Sequence, residues 1–260
     1  PDSLLASMRA SGWQEDAAIA AMEEVLSGFL AEQHAAGGPP VPVAVPDVEL
    51  RGAPTLLDAG DREVKLLLAM KLPRVLVFGE LLSSDECDEL VALARPRMER
   101  SLTVDTATGG TEINASRTSR GMFFTRGEHA LCQRIEARIA RLVQWPIEHG
   151  EGLQVLHYAP GAEYKPHHDY FDPAQPGTPK VLERGGQRVA TIVMYLNTPA
   201  GGGATSFPDV GLEVAPVKGN AVFFSYDRPH PVTRTLHGGA PVVAGEKWVA
   251  TKWLRERVFV

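Results

Sequence analysis

GLQVLHYAPGAEYKPHHDYF, residues 152–171, is the stretch on which the fold of this chain turns. It opens as a short run of leucine, valine and an aromatic. It breaks at Pro160-Gly161 and resumes as a polar segment with two histidines and an aspartate. Towards the C-terminus the same texture returns in RVATIVMYLN (188–197), NAVFFSY (220–226), VTRTLH (232–237) and KWVATKWL (247–254), with Gly- and Pro-rich turns between them. Short β-branched and aromatic runs at this spacing predict the strands of a sandwich or barrel. Towards the N-terminus, RVLVF (74–78) reads as a buried strand. Ser83 or Ser84 then caps a helix to about Ala94, with Asp85 and Glu86 in its first turn, where the helix dipole favours acids. DTATGGTEINAS (105–116) reads as a loop, 117–124 as a strand and 128–143 as an amphipathic helix. The predicted fold is α+β with a mainly β core: a jelly roll with supporting helices on one face and a helical N-terminal extension.

That extension is residues 1–36. Within 13–33, Ile19, Met22, Val25, Leu26, Phe29 and Leu30 recur at helical spacing and predict an amphipathic helix. Four prolines between Gly37 and Pro46 predict an extended linker. Residues 37–72 are expected to be that linker with a short helical segment, and 73–260 the jelly-roll domain.

Composition narrows the function classes. With 44% apolar and 22% charged residues, the 260-residue chain can bury a sizeable core. A net charge of -6 argues against nucleic acid as the main partner. Two cysteines, Cys87 and Cys132, make no disulfide framework, and buried thiols in a reducing cytoplasm are expected. The opening PDSLLASMRASGW has no apolar secretory core, and the longest apolar runs are too short and too charged to span a membrane, so no membrane association is expected.

The chemistry sits in Tyr164-Lys-Pro-His-His-Asp-Tyr170. Residues i and i+2 of a strand share a face, so His167 and Asp169 can bind one metal while His168 points away. His237, seventy residues on, is the natural third ligand of a facial triad, which leaves metal positions open. A surface pair at a strand end is the plain alternative for the H-x-D alone. Ten residues after His237 comes Lys247, among Trp248, Val249, Thr251 and Trp253. Pointing inward it would need an anion, because an unpaired buried ammonium is costly, and a dicarboxylate fits. An edge lysine facing solvent is the alternative. Other histidines are set aside: His157 faces opposite to Tyr158, His230 lies in a turn as a capping or solvated residue, and His34, His129 and His149 have no ligand partners at suitable spacing. Gly201–203 is no phosphate loop, since no helix with Lys-Ser/Thr follows.

H-x-D, a distal histidine and a lysine ten residues later resemble the prolyl 4-hydroxylase family of iron(II)/2-oxoglutarate-dependent dioxygenases. The resemblance covers about residues 73–260 and includes the opening stretch, GGQRVATIVMYLN (185–197), GGGATSFP (201–208) and LHGGAPVVAGEKWVATKWL (236–254). It implies a double-stranded β-helix, with iron(II) held by His167, Asp169 and His237. It implies 2-oxoglutarate paired with Lys247 and hydrogen-bonded by Tyr158 and Thr205, and O2 consumed to give succinate and CO2, with ascorbate as a candidate reductant. Arg117 and Ser119, in RTSRGMFF (117–124), match a peptide-groove motif, and Tyr164, Arg188 and Trp253 match further substrate-facing positions. Core packing is the alternative for the two aromatics, a strand-edge charge for Arg188. Related halogenases carry a small residue in place of the carboxylate, so Asp169 implies hydroxylation. The substrate implied is a proline-containing peptide or protein, hydroxylated at the 4-position. A free amino acid, a zinc hydrolase at the same ligands and a silent binding module stay open as rivals.

Overall fold

Nine strands form one sheet covered on both faces, which is why so many read as unbroken apolar runs. A computed structural model describes residues 2–35, 38–101, 103–105, 107–112 and 116–260. It divides into two compact units, Pro1–Val43 and Ala44–Val260. The first contains α1 (Asp2–Ala10) and α2 (Glu15–Ala35), and Val25, Leu26 and Phe29 of α2 stay more than half exposed.

The second unit begins with β1 (Leu56–Asp58), β2 (Glu63–Met70) and β3 (Arg74–Gly79), followed by α3 (Ser84–Ala94) and β4 (Glu99–Arg100). β5 (Thr103–Val104) and β6 (Thr111–Glu112) form a ribbon, and β7 (Arg120–Phe124) and α4 (Ala130–Val143) follow. Then come β8 (Leu153–Tyr158), β9 (Tyr164–His167), α5 (Thr178–Leu182), β10 (Arg188–Tyr195), β11 (Gly201–Gly202), β12 (Thr205–Phe207) and β13 (Leu212–Val214). The chain ends with β14 (Ala221–Ser225), β15 (His237–Gly239), β16 (Val242–Ala244) and β17 (Lys247–Arg255). The large sheet has the order β1-β2-β3-β14-β10-β17-β8-β7-β4, and a four-stranded sheet, β13-β12-β15-β9, packs on it. This is the jelly roll read from the sequence.

Strand alternation divides the core in two. Leu76, Phe78, Ile192, Met194, Phe223 and Ala250 face α3 and α4. Val75, Val77, Tyr195, Val222, Phe224 and Val249 face the small sheet. β17 is buried at every position. Its Lys252 lies on the helix side, where Nζ meets Glu136 Oε1 of α4 at 2.6 Å. Lys247, Thr251 and Trp253 lie on the other side, where the site is built.

The helices are tied down by a buried ionic cluster. Ser83 and Glu86 form a capping box at the start of α3. Glu86 also takes two bonds from Arg138 of α4, 2.8 and 2.7 Å long, and Arg138 holds Asp61 as well. Burial alone would raise the Glu86 carboxyl, but the Arg138 and Ser83 bonds outweigh it and hold it down at about 2. The unfolded carboxyl titrates near 4.5, so the unfolded chain binds the extra proton between about 4.5 and 2, and stability falls as pH falls through that window. Glu86→Gln should flatten this acid limb in thermal melts and destabilise the fold at pH 7, because it removes one of the two carboxylates that hold the buried Arg138.

Some sequence expectations change. No helix forms among the described residues of 38–72; Leu56–Asp58 and Glu63–Met70 are instead the edge hairpin of the large sheet. VTRTLH is not a strand: a 3-10 turn occupies Pro231–Thr233 and the strand starts at His237. The 117–124 strand begins at Arg120, with Arg117 reduced to an isolated bridge to Tyr164. The 105–116 loop lies partly outside the described residues.

Candidate metal centre and the cleft around it

β9 and β15 run side by side with His167 opposite His237, and the chain leaving β9 brings Asp169 to the same spot. Ligand atoms of the three all lie within 4.8 Å of one another. His167 Nε2 is 3.4 Å from Asp169 Oδ1, and His237 Nε2 is 3.5 Å from Asp169 Oδ2. The other nitrogen of each ring is used: His167 Nδ1 donates to the Lys165 carbonyl at 2.9 Å, His237 Nδ1 to the Thr235 carbonyl at 3.0 Å. A carbonyl only accepts, so each Nδ1 carries the proton and each Nε2 keeps a lone pair for a metal. His168 stacks on Tyr170 and is no part of the cluster.

Electrostatics keep two of the donors, His237 and Asp169, unprotonated. Burial pushes His237 down to about 4, so it is neutral near pH 7 and its contact with Asp169 is no ion pair. Burial works to raise Asp169, yet its carboxyl stays well below the usual carboxylate range, with the Arg188 guanidinium among the charges that hold it there. Two imidazoles and one carboxylate, with one side open to a cleft, fit an iron(II) ion with exchangeable positions.

Asp169 is held from behind. The Thr191 hydroxyl donates to Asp169 Oδ2 at 2.7 Å, and the Tyr226 hydroxyl lies 3.0 Å from Thr191 Oγ1. With its donor spent on Asp169, Thr191 accepts from Tyr226. Thr191→Val keeps the shape and removes the bond. Losing such an outer partner should weaken iron(II) binding about ten- to a hundred-fold, read by anaerobic metal titration.

A cavity of about 50 Å³ lies inward of the triad, lined by Tyr158, Thr205, His237 and Lys247 among others. Lys247 is 3% exposed, and no ion pair of the described residues involves it. Its Nζ lies 5.4 Å from the Tyr158 ring centre and 5.9 Å from that of Tyr195. Burial pushes its ammonium down to about 8. Tyr195 donates to Thr205 Oγ1 at 2.8 Å, fixing that hydroxyl. Gly203 has φ +74°, and a Cβ there would sit 3.1 Å from Lys247 Cδ, so the glycine turn lets β12 approach the lysine.

Outward of the triad lies a cleft of about 1010 Å³. Arg117, Tyr164, Arg188 and Trp253 line it. Tyr164 stacks on His167 with centroids 3.7 Å apart, and the Arg117 guanidinium lies 4.9 Å from the Tyr164 ring centre. Arg117 also bonds Gln154 at 2.8 Å. Arg188 is clamped by Glu151 at 2.7 and 3.1 Å and lies 4.0 Å from the Trp253 ring centre. Ser119 is different: it is fully buried and donates to Ser101 Oγ, and Ser101, not Ser119, lines the cleft. Ser119 precedes β7, and the chain there lies against Ser101, whose amide donates to the Ser119 carbonyl at 3.1 Å.

Sequence reasoning did not find Thr191, Tyr226, Glu151 or Tyr195. A hydroxyl inside the apolar run VATIVMY was a signal for Thr191, since it lies i and i+4 from Tyr195 on the site face. The others are joined to the site by long-range pairings that no local pattern carries.

Comparisons agree with this geometry. The family model of the 2OG-Fe(II) oxygenase superfamily matches residues 153–255. Prolyl 4-hydroxylase 1 of Arabidopsis thaliana is 44% identical over 203 residues, 71% of this chain and 70% of that protein. Prolyl 4-hydroxylase 5 of the same plant is 40% identical over 209 residues, 72% of this chain and 70% of that one. Among solved structures, the 2OG complex of a viral collagen prolyl hydroxylase from Paramecium Bursaria Chlorella virus-1 superposes with a TM-score of 0.54 at 29% identity, covering 70% of this chain and 95% of that one.

Proposed function

The chain belongs to the prolyl 4-hydroxylase family of iron(II)- and 2-oxoglutarate-dependent dioxygenases, and from that premise we propose that it hydroxylates prolyl residues of a peptide or protein, at the 4-position. One observation carries the reading furthest: a His-Asp-His cluster sits between a lysine pocket and a cleft of about 1010 Å³. When bound there, iron(II) supplies the oxidative chemistry, in which O2 and 2-oxoglutarate are converted to succinate and CO2 with oxygen insertion into a substrate C–H bond.

The chain's own residues do the placing. His167, Asp169 and His237 hold the metal from one side. Lys247 supplies the positive charge that a distal carboxylate lacks elsewhere in the cavity, and the Thr205 and Tyr158 hydroxyls orient it. A dry pocket strengthens that pairing. Tyr164, Trp253, Arg117 and Arg188 present flat and cationic surfaces to an extended backbone. Ser119 acts on that surface only through Ser101. Glu151 holds the Arg188 guanidinium in place beside the Trp253 ring.

The size of the cleft favours a peptide over a free amino acid, which would leave most of it empty. The test is competition between a proline-rich peptide and free L-proline. The reading predicts a +16 Da product on the peptide at a kcat/KM at least about tenfold higher, roughly the gain of one well-made contact. Equal or better use of free proline would overturn the peptide assignment.

Protonation of Lys247 gives a pH prediction. A bound carboxylate needs the ammonium, which in the free enzyme is lost above about 8. Affinity for 2-oxoglutarate should therefore fall as pH rises above about 8, by up to about tenfold per pH unit. Isothermal titration at several pH values reads it.

A further inference from the structure

Lys247 is the first residue of β17, and the end of an element is where local opening costs least. On one side β8 supports it, with Tyr158 opposite Lys247. On the other side β10 ends at Tyr195, opposite Val249. One more backbone bond follows, from the Leu196 amide to the Trp248 carbonyl at 2.9 Å. There the chain bends, and the half-buried side chain of Asn197 continues the pairing. Its Nδ2 donates to the Glu246 carbonyl at 2.7 Å, and its Oδ1 accepts from the Trp248 amide at 2.7 Å. Those groups belong to the residues immediately before and after Lys247, so one planar amide fixes the backbone on both sides of the lysine. The flanking side chains have anchors of their own. The Glu246 carboxylate meets His157 Nε2 at 2.8 Å, and the Arg95 guanidinium lies 4.9 Å from the Trp248 ring centre. The lysine stem then passes Gly203, and its Nζ lies 3.9 Å from where a Cβ of Gly239 would sit.

We propose that Asn197 is a positioning residue that holds Lys247 at a set depth in the inner cavity, so that the enzyme selects 2-oxoglutarate over 2-oxoadipate, which is one methylene longer. This rests on the reading of Lys247 as the partner of the distal carboxylate. A dicarboxylate spanning the metal and the ammonium is measured by the distance between them. The metal end is set by the β9–β15 pairing that brings His167 opposite His237. The other end is a flexible four-carbon stem, which holds a fixed length only if its root and walls are fixed. Tyr158, Thr205 and Gly239 supply walls in a cavity of about 50 Å³, and Asn197 fixes the root.

The experiment titrates 2-oxoglutarate and 2-oxoadipate anaerobically into iron-loaded wild type, Asn197→Leu, Asn197→Ser and Lys247→Ala, with iron affinity and a thermal melt measured beside them. Asn197→Leu keeps the size without the bonds, and Asn197→Ser stays polar but is too short to span both backbone groups. Wild type is expected to prefer 2-oxoglutarate by about tenfold or more, the usual worth of one methylene in a fitted pocket. Both Asn197 variants should raise the 2-oxoglutarate Kd about tenfold, the equivalent of one good contact, and bring the two cosubstrates closer together, with iron affinity unchanged. If Asn197→Leu does not fold, Asn197→Ser carries the same reading. A wild type that does not discriminate, or an unchanged Kd or preference in a folded Asn197 variant, overturns the proposal. Loss of iron affinity in the Asn197 variants overturns it too, since the residue then supports the site as a whole. In each of these cases a raised Kd in Lys247→Ala leaves the lysine reading intact. An unchanged Kd in Lys247→Ala overturns that reading and this proposal with it.

Discussion

Asp169→Ala is expected to lose turnover by at least about a thousandfold, well beyond the roughly ten- to hundred-fold cost of an outer-shell partner. Asp169 is the one anionic donor of the cluster, and the two imidazoles that remain cannot balance a divalent ion. Its side chain is also fixed more firmly than a surface carboxylate, with Thr191 behind it and Tyr226 behind Thr191. Two readouts separate causes: iron retained after anaerobic dialysis, and succinate formed per iron bound. Removing the carboxylate strands the Thr191 hydroxyl at a cost of about 1–3 kcal/mol, so a thermal melt belongs beside them. Asp169→Asn, nearly the same size, should behave like alanine in turnover. An Asp169→Ala protein with full hydroxylase activity would refute the triad.

Lys247→Ala should raise the 2-oxoglutarate Kd by roughly thirty- to several-thousand-fold, the equivalent of about 2–5 kcal/mol for truncating one partner of a buried charge pair. Iron binding should hardly change, since Lys247 is no member of the ligand cluster. The ligand-free protein gives an independent sign. Burial lowers the ammonium to about 8 against an ordinary 10.5, so the protonated lysine costs folding free energy below pH 8. That cost is relieved as pH rises from about 8 to 10.5, where the unfolded chain binds more protons. Lys247→Met should therefore melt higher than wild type without 2-oxoglutarate and gain less on adding it. The fall in affinity above pH 8 should vanish in the same variant. Unchanged 2-oxoglutarate affinity in Lys247→Ala would remove the lysine from its role.

Strands buried on two faces advertise themselves, and RVLVF, NAVFFSY and RVATIVMYLN were legible because local propensity and tertiary burial agree there. The edge hairpin was not. EVKLLLAM, now Glu63–Met70, is made mostly of good helix formers, with Val64 its single β-branched residue. Only pairing with β3 makes it a strand, and that pairing leaves Leu67 55% exposed, a pattern no sequence period announces. The metal cluster was half legible for a related reason. His167 and Asp169 follow from strand spacing, whereas His237 joins them through the β9–β15 pairing across seventy residues. His237 also opens its strand instead of closing one, because Pro231 and the turn after it interrupt VTRTLH. Ser119 shows the limit of motif matching: RTSRGMFF has the right residues, but the serine lies outside β7 and is buried against Ser101.

The most direct measurement is succinate released from 2-oxoglutarate when anaerobically iron-loaded protein is exposed to air, with and without a proline-containing peptide, read together with the peptide's mass. The account predicts peptide-stimulated succinate matched by a +16 Da product on proline, both lost without iron and both suppressed in Asp169→Ala. No succinate from protein that demonstrably holds iron would contradict it.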